Sequence, residues 1–454
     1  MNHNTEQPNA LERMYQRKAA ELVIWAQPLM NAKAMRDGFE RDGGAGPNDL
    51  LYFRRPIDWR FQITTPNNTT MYAFAFWKTF DGPVVVEIPP ATSEVGLFGT
   101  IMDIWQRPVI DVGNVGFDKG LGGKYLLLPP GYNGRYPAGY FTFPQLTYNG
   151  WMALRAIVKD FSPQSLAAAE AMYKKIRIYP FSEAQNPPPM NHVPADGKLI
   201  EALPIYDVSL FQHLNELIQV EPAEARDRTM YDMLDYIGIK KGEPFQPTAR
   251  QQALLAGAVQ EAHEDMMALF TDPDPAWRYW PENYWRDIVP FKVALTEMSW
   301  DFPTYTAVTE RARFYYGICT SSRQYGAATK YFLGARDSEG RRLNGRNKYI
   351  LKVPANVPVS QFWSILAFDT FNSGAFIRDM PKPGFSSLDE GYEVNSDGTI
   401  DLYFSAEPPA GKEANWVPTA AGREFVLLFR LYGPLDPLKD KSWQFADLEM
   451  VDSF

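Results

Sequence analysis

The chain runs to 454 residues, 45% hydrophobic and 22% charged, the make-up of a globular protein with room for two or three domains of roughly 150 residues. Its net charge of −9 excludes the Lys/Arg surplus that binding to nucleic acid or an anionic membrane surface requires. One cysteine, Cys319, excludes an intramolecular disulfide framework and any multi-cysteine metal site.

The opening "MNHNTEQPNALERMYQRKAA" has no apolar core of signal-peptide type, and no window approaches a transmembrane span. The expected location is the cytoplasm. Residues 10–38 carry apolar side chains at helical spacing, with Gly38 as a stop. From about residue 49 the texture changes to "MYAFAFWKTF", "PVVVEIP", "LFGTIMDIW", "KYLLLPP" and "AGYFTF". These short β-branched and aromatic runs, separated by Gly, Pro and Asn, predict a β-sandwich or jelly roll.

Helical texture resumes at 162–179, where Ser162 is placed to cap and Pro163 to fill the first turn. It continues through "VSLFQHLNELIQ", "AEARDRTMYDMLDYIG" and 248–270. The prolines of 186–194 predict an extended connector. The Trp-rich "PAWRYWPENYWRD" then leads into a second β region from about 291, with "NSDGT" (395–399) as a turn. The expected class is therefore mainly β with a helical middle (α+β), built on two jelly-roll-like β-sandwich domains. The expected divisions are 1–48 (N-terminal helix), 49–160 (first β domain), 161–290 (helical linker) and 291–454 (second β domain).

A short echo links the two β regions. "VVVEIP" is followed by "LFGTIMD", ending at Asp103; "YILKVP" is followed by "QFWSILAFD", ending at Asp369. The echo is too short for a repeat array but fits two sandwiches of similar build.

The familiar chemical motifs are missing: there is no GxSxG elbow, no Walker loop and no GxGxxG after a strand. "GLGGKY" leads into a strand, which leaves it without the helix N-terminus that holds phosphate. The four histidines, His3, His192, His213 and His263, show no metal-binding spacing, and His263 reads as structural. Cys319 sits in apolar "FYYGICTS" and reads as an inert buried thiol. What remains are polar residues at strand ends. Asp103 and Asp369 interrupt apolar strands, so each needs a cation or donors, with Lys124, Arg155 and Arg430 as candidate partners. Each is either half of a structural ion pair or an acid/base group in an apolar cavity. In "TTPNNTTMYAFAFW" (64–77), Asn67 and Asn68 either close a turn or present amides to a pocket walled by Tyr72.

The order of "TPNNTTMY", "GPVVVEIP", "MDIW", "GGKYLLLPPGYNG" and Arg155, then "DSEGRRLNGRNKYIL", "FWSILAFD", "NSDGTIDLY", "ANWVP" and "LLFRLYGP", resembles a two-part bacterial family. Its halves are known as domains of unknown function 1254 and 1214, here matching roughly residues 50–158 and 320–445. The resemblance implies jelly-roll halves, a helical segment between them and self-association, and it supplies no settled reaction. Many members look exported, unlike this chain. In the opening motif the family usually has an aspartate where this chain has Thr69. Asn67, Thr70, Tyr72, Asp103, Lys124, Tyr125 and Arg155 match the family pattern and carry over as site candidates.

The leading expectation is a metal-independent, cofactor-free cytoplasmic enzyme without nucleic-acid or membrane partners, performing hydrolysis or a lyase step on a small apolar or aromatic molecule. Asp103 would act as base, Lys124 or Arg155 would stabilise negative charge, and Tyr72 would orient the substrate. Asn67, Asn68, Thr70, Trp105, Tyr125, Asp369 and Arg430 would line its binding surface. The alternatives are a non-catalytic binding or scaffold protein and an enzyme with a carboxylate-bound divalent metal. A homo-oligomer is expected in each case.

Overall fold

The computed structural model describes residues 7–272, 275–324 and 329–454; His3 lies outside them. The fold is mixed α/β, with eight α-helices and several β-sheets among the described residues.

The helix Ala10–Gly38 begins at Asn9, whose side chain accepts from the backbone of Leu11 and Glu12 while Glu12 returns a bond to the Asn9 backbone. From Leu22 onward almost every residue is buried, polar Gln27 and Asn31 included. The helix is thus a central rod rather than a surface element. Helices Ala249–Thr271 and Val308–Gly317 pack along it. Trp25 is fully buried there, with its indole N–H donating to Asp227 at 2.8 Å. Burying such a ring is worth about 1.5–3 kcal/mol. Ser162 caps the helix Pro163–Tyr173 with Pro163 in its first turn, as the sequence predicts.

The first β region forms a six-stranded sheet in the order His192–Pro194, Leu50–Tyr52, Met71–Lys78, Asn149–Val158, Val95–Asp103, Pro108–Gly113. A four-stranded sheet follows the order Arg177–Pro180, Val84–Ile88, Gly123–Leu128, Phe141–Pro144. The region read as helical linker therefore also supplies sheet strands, at 177–180 and 192–194. Short runs such as "RIYP" carry too few residues for a periodicity to declare them.

The second region repeats this plan. Its larger sheet runs Arg286–Asp287, Thr329–Gly334, Phe425–Tyr432, Trp363–Asp369, Ala375–Phe376, with Gly384–Ser386 also pairing with 363–369. Its four-stranded sheet runs Glu449–Val451, Lys348–Val353, Ile400–Ser405, Trp416–Pro418. Two helices, Phe291–Ala294 and Val308–Gly317, separate Arg286–Asp287 from the later strands, in the stretch where the sequence reading already placed β structure. Nine strands of each region correspond in chain order and in partners. Even the parallel pair recurs, as 123–128 with 141–144 and as 400–405 with 416–418.

Alternation along the strands gives the larger sheets two buried faces. In the 149–158 strand, Met152, Leu154 and Ala156 share a core with the four-stranded sheet, while Trp151 and Ala153 share a different core with the helices. In the 425–432 strand, Leu427, Phe429 and Leu431 face their own four-stranded sheet. Val426 and Leu428 enter the same central core as Trp151 and Ala153. The larger sheets of the two regions thus meet at one core, with the helices. Arg155 and Arg430 fall on the strand positions that face it.

Candidate functional site

The strand register sets two matched pairs. Tyr72 lies directly opposite Arg155 in the first sheet, and Tyr331 directly opposite Arg430 in the second. The Arg155 guanidinium sits 5.4 Å from the Tyr72 ring centre, and that of Arg430 5.6 Å from the Tyr331 ring centre. All four side chains line one small chamber of about 30 Å³, closed by Ile57, Ile63, Ile318, Leu428 and Cys319. An adjoining chamber of about 40 Å³, lined also by Thr100, Ser321 and Thr329, shares the walls Arg155, Ile318, Thr320 and Tyr331. Among the described residues, neither chamber has an Asp or Glu in its wall.

Asn67 ties the first pair to the second sheet. Its Nδ2 donates to the Tyr432 hydroxyl at 2.8 Å and the Tyr72 hydroxyl at 3.2 Å. Its Oδ1 accepts from the Thr69 backbone N–H at 3.1 Å and the Thr69 hydroxyl at 2.7 Å. The Thr69 hydroxyl also lies 3.1 Å from that of Tyr432. So "TTPNNTTMY" is a turn and a site wall at once, and Thr69 acts as a neutral strut between Asn67 and Tyr432. Thr65 reaches this turn with φ at +34°, a costly conformation for a β-branched residue. The bend brings the carbonyls of Thr65 and Pro66 to Nη2 of Arg430, at 3.0 and 3.3 Å.

Arg430 is 3% exposed, and its Nη1 has no acceptor among the described residues. Arg155 is half-buried, and its Nη1 donates to the Tyr331 hydroxyl at 3.3 Å. Neither guanidinium forms an ion pair with a carboxylate among the described residues. Burial pushes the Tyr331 phenol up, but Arg155 and then Arg430 outweigh it and hold it below the ordinary tyrosine range. Burial also works against the charge on Arg155, yet the phenols of Tyr331, Tyr72 and Tyr432 more than offset it and raise its pKa. Tyr432 is pushed above the ordinary range, first by burial and then by Tyr331. Burial likewise pushes the Cys319 thiol up to about 12, in keeping with an inert thiol.

Of the residues expected from sequence, the structure brings together Asn67, Tyr72, Arg155 and Arg430, with Thr70 at the edge, 3.5 Å from Asn67. The others stand elsewhere. Asp103, expected as the base, is held by the Arg107 side chain at 2.6 Å and the Arg107 backbone at 2.9 Å, while Arg107 also grips Glu224. It lines none of the cavities described, because a nearer arginine in its own turn satisfies it. Lys124 is half exposed on the outer sheet, paired across strands with Glu87 at 2.9 Å. Tyr125, next to it, points into the core between the two sheets of the first region. Trp105 packs on Trp25 with ring centres 4.8 Å apart. Asp369 pairs with Arg423 at 2.5 Å and accepts from the Phe371 and Asn372 backbone, the loop-capping role. Asn68 lies outside both chambers.

Sequence reasoning missed Tyr331 and Tyr432. Tyr432 was legible in "FRLY", two positions from Arg430 and so on the same face. Tyr331 had no such sign, because its partner lies 99 residues away.

A second cavity, of about 580 Å³, lies between the first helix, the 201–213 segment and the 371–378 segment. His263 lines it, stacked on Tyr206 at 4.1 Å and 3.1 Å from the Tyr316 hydroxyl; burial lowers its pKa. The charges there pair with one another, Lys33 with Asp37 at 2.5 Å and Glu216 at 3.0 Å, and Arg378 with Glu201 at 2.6 Å. The small chambers, by contrast, are cavities walled by two guanidiniums and no carboxylate among the described residues. Among the described residues no three His, Cys, Asp or Glu side chains gather as a metal site needs, and no helix is long and apolar enough to cross a membrane.

Comparison with known proteins agrees with this two-part build. Residues 47–180 match the model for a protein of unknown function, DUF1254, and residues 328–436 that for a second, DUF1214. No curated protein matches the chain. The crystal structure of the VPA0106 protein from Vibrio parahaemolyticus is similar at 16% identity and a TM-score of 0.56, over 96% of this chain and 100% of that one. The likeness is one of fold. An uncharacterized protein from Burkholderia cenocepacia aligns over 97% of this chain and 95% of its own, at 11% identity and a TM-score of 0.41. The chain thus belongs with the two-part proteins in which a domain of unknown function 1254 is followed by a domain of unknown function 1214.

Proposed function

We propose that this protein is an enzyme performing metal-independent acid/base chemistry, a hydrolysis or lyase step, on a small molecule held in the paired chambers. The reading rests on one observation: Tyr331 lies between two guanidiniums, accepting from Arg155 and lying beneath Arg430, in a wall without a carboxylate. A phenol so placed gives up its proton more readily than a free tyrosine, which suits a general base. Tyr331 takes this role in place of Asp103. Arg155 and Arg430 stabilise the negative charge that develops on the substrate, and Asn67 and Tyr72 orient it. The apolar wall of Ile57, Ile63, Ile318 and Leu428 takes the substrate's body, and the small volume keeps that body small. We read the carrier fold as two jelly-roll-like sandwiches, each a larger and a smaller sheet sharing one core. The setting we infer is the cytoplasm, where the lone buried thiol of Cys319 stays reduced.

A pooled screen of small esters, hydroxy acids and aromatic acids tests the reading, run on the parent protein and on Tyr331→Phe. Turnover that disappears in the variant while binding remains supports it. Binding without turnover in the parent would make the protein a binder instead.

A further inference from the structure

Two cationic side chains reach the same chamber, and no described residue supplies the opposite charge. Leaving a buried charge unpaired costs several kcal/mol, so a fold that retains two of them on one wall has a use for them. Arg430 has a free donor, its buried Nη1. Its other terminal nitrogen is fixed by the Thr65 and Pro66 carbonyls, which holds the planar fork in one orientation. The strain at Thr65 goes into making that support.

The two arms come from equivalent places. Arg155 sits on the strand that pairs with 71–78 and 95–103; Arg430 sits on the strand that pairs with 329–334 and 363–369. Each stands in direct register with a tyrosine of the preceding strand. Equivalent donors converging on one small chamber suit a group with two equivalent acceptor oxygens. The chamber's volume fits a head group of a few atoms, and its remaining walls are apolar.

We propose that Arg155 and Arg430 form a two-sided clamp for the carboxylate of a small aliphatic carboxylic acid, one arm supplied by each β region. The inference deepens the functional reading at the same site but stands on binding alone. The acid's oxygens accept from Nη1 of Arg430 and from the Arg155 fork, and its short body lies against Ile57, Ile63, Ile318 and Leu428. Tyr331 closes the clamp from beneath, so that a bound carboxylate and an ionised Tyr331 compete for the same two cations.

Sodium propionate is the probe, titrated into the full chain by calorimetry and followed in parallel by melting temperature, with sodium chloride at equal ionic strength as control. The parent should bind one propionate per chain saturably and melt higher with it. Arg155→Lys and Arg430→Lys keep the charge but lose the fork, and each should weaken binding about tenfold or more. Arg430→Met should abolish binding; because it also takes the donor from the Thr65 and Pro66 carbonyls, its melting temperature is read first and binding is measured well below it. Lys352→Met, on the outer sheet, should bind as the parent does. A response no larger than that to chloride would overturn the clamp, as would one left unchanged in both lysine variants. A stronger response to phosphate than to propionate would overturn the carboxylate assignment. Arg-dependent propionate binding with no turnover in any screen leaves the clamp standing and removes the enzyme; Tyr331-dependent turnover without propionate binding does the reverse.

Discussion

The two β regions share a strand plan and differ in almost everything laid over it. On the outer four-stranded sheets the same cross-strand position carries Glu87 opposite Lys124 in the first region and Lys352 opposite Asp401 in the second, so the charges have changed places. At the ends of corresponding strands, Asp103 is sealed by Arg107 and Asp369 is met by the half-exposed Arg423. Only on the faces turned toward the central core do both regions keep one arrangement, a tyrosine in register with an arginine. A pair on the outer sheet needs only opposite charges, and which strand carries which is immaterial. Two pairs that converge on one chamber are constrained by each other and by what they hold.

The comparison can be broken most sharply at the tyrosines. If the pairs were interchangeable, Tyr72→Phe and Tyr331→Phe would cost the same. They are not placed alike: the Tyr331 hydroxyl accepts from Arg155, whereas the Tyr72 hydroxyl accepts from Asn67. Tyr331→Phe should lose about 10²–10⁴-fold in turnover, the range for removal of a general base, and Tyr72→Phe much less. The groups facing Tyr331 from the packed strands are Arg155, Arg430, Tyr72 and Tyr432, with Thr329 on its own strand. Burial raises its pKa, and the two guanidiniums more than reverse that. The reactive form is the phenolate, so kcat/KM should rise with pH through an ionisation below the ordinary tyrosine value near 10, and Tyr331→Phe should lack that limb. A profile flat in the parent, or unchanged in the variant, would remove Tyr331 as the base.

The aspartates sharpen the contrast on the stability side. Asp103→Asn removes one of the two carboxylates on buried Arg107, with Glu224 still paired, and should destabilise the fold by about 1.5–3 kcal/mol in urea unfolding. Asp369→Asn frees an arginine that already reaches water and retains an acceptor for the loop, so its cost should be about 1–2 kcal/mol. Equal costs would show that strand-end position, rather than the partner's burial, sets the energy.

How much of this could be read from the chain follows from distance along it. The rod helix, the capped helix at Ser162 and the 123–128 strand after "GLGGKY" were legible because their signals are local. The echo of 84–103 in 349–369 was visible because two adjacent strands kept spacing and proline placement. The rest of the repeat was hidden, since the pairing of 71–78 with 149–158, or of 329–334 with 425–432, joins segments some 70 to 100 residues apart. The partner of Asp103 was missed for the opposite reason, since it lies close by in the chain. The sequence offers Lys124, Arg155 and Arg430 as cations for a carboxylate at a strand end, while Arg107, four residues on, satisfies it within its own turn. Once Arg107 takes Asp103, Arg155 and Arg430 are left without a carboxylate, and their meeting at one chamber is what marks them.

The smallest effect concerns Lys124. If the outer pairs are solvated cross-strand contacts with no part in the site, Lys124→Met should change stability by no more than about 1 kcal/mol and leave turnover alone. Glu87 still accepts from the Tyr179 hydroxyl at 2.6 Å and so is not left bare. Lys352→Met should cost less again, because its contact with Asp401 is longer, 3.7 Å against 2.9 Å, and its side chain slightly more exposed. Urea unfolding of the two variants side by side measures the difference. A loss of turnover in Lys124→Met at unchanged stability would carry the site back to the outer sheet and separate the tyrosine–arginine pairs from function. Equal small losses in both variants would instead leave the exchange of charges between the two regions without energetic consequence, as expected for pairs that answer only to each other.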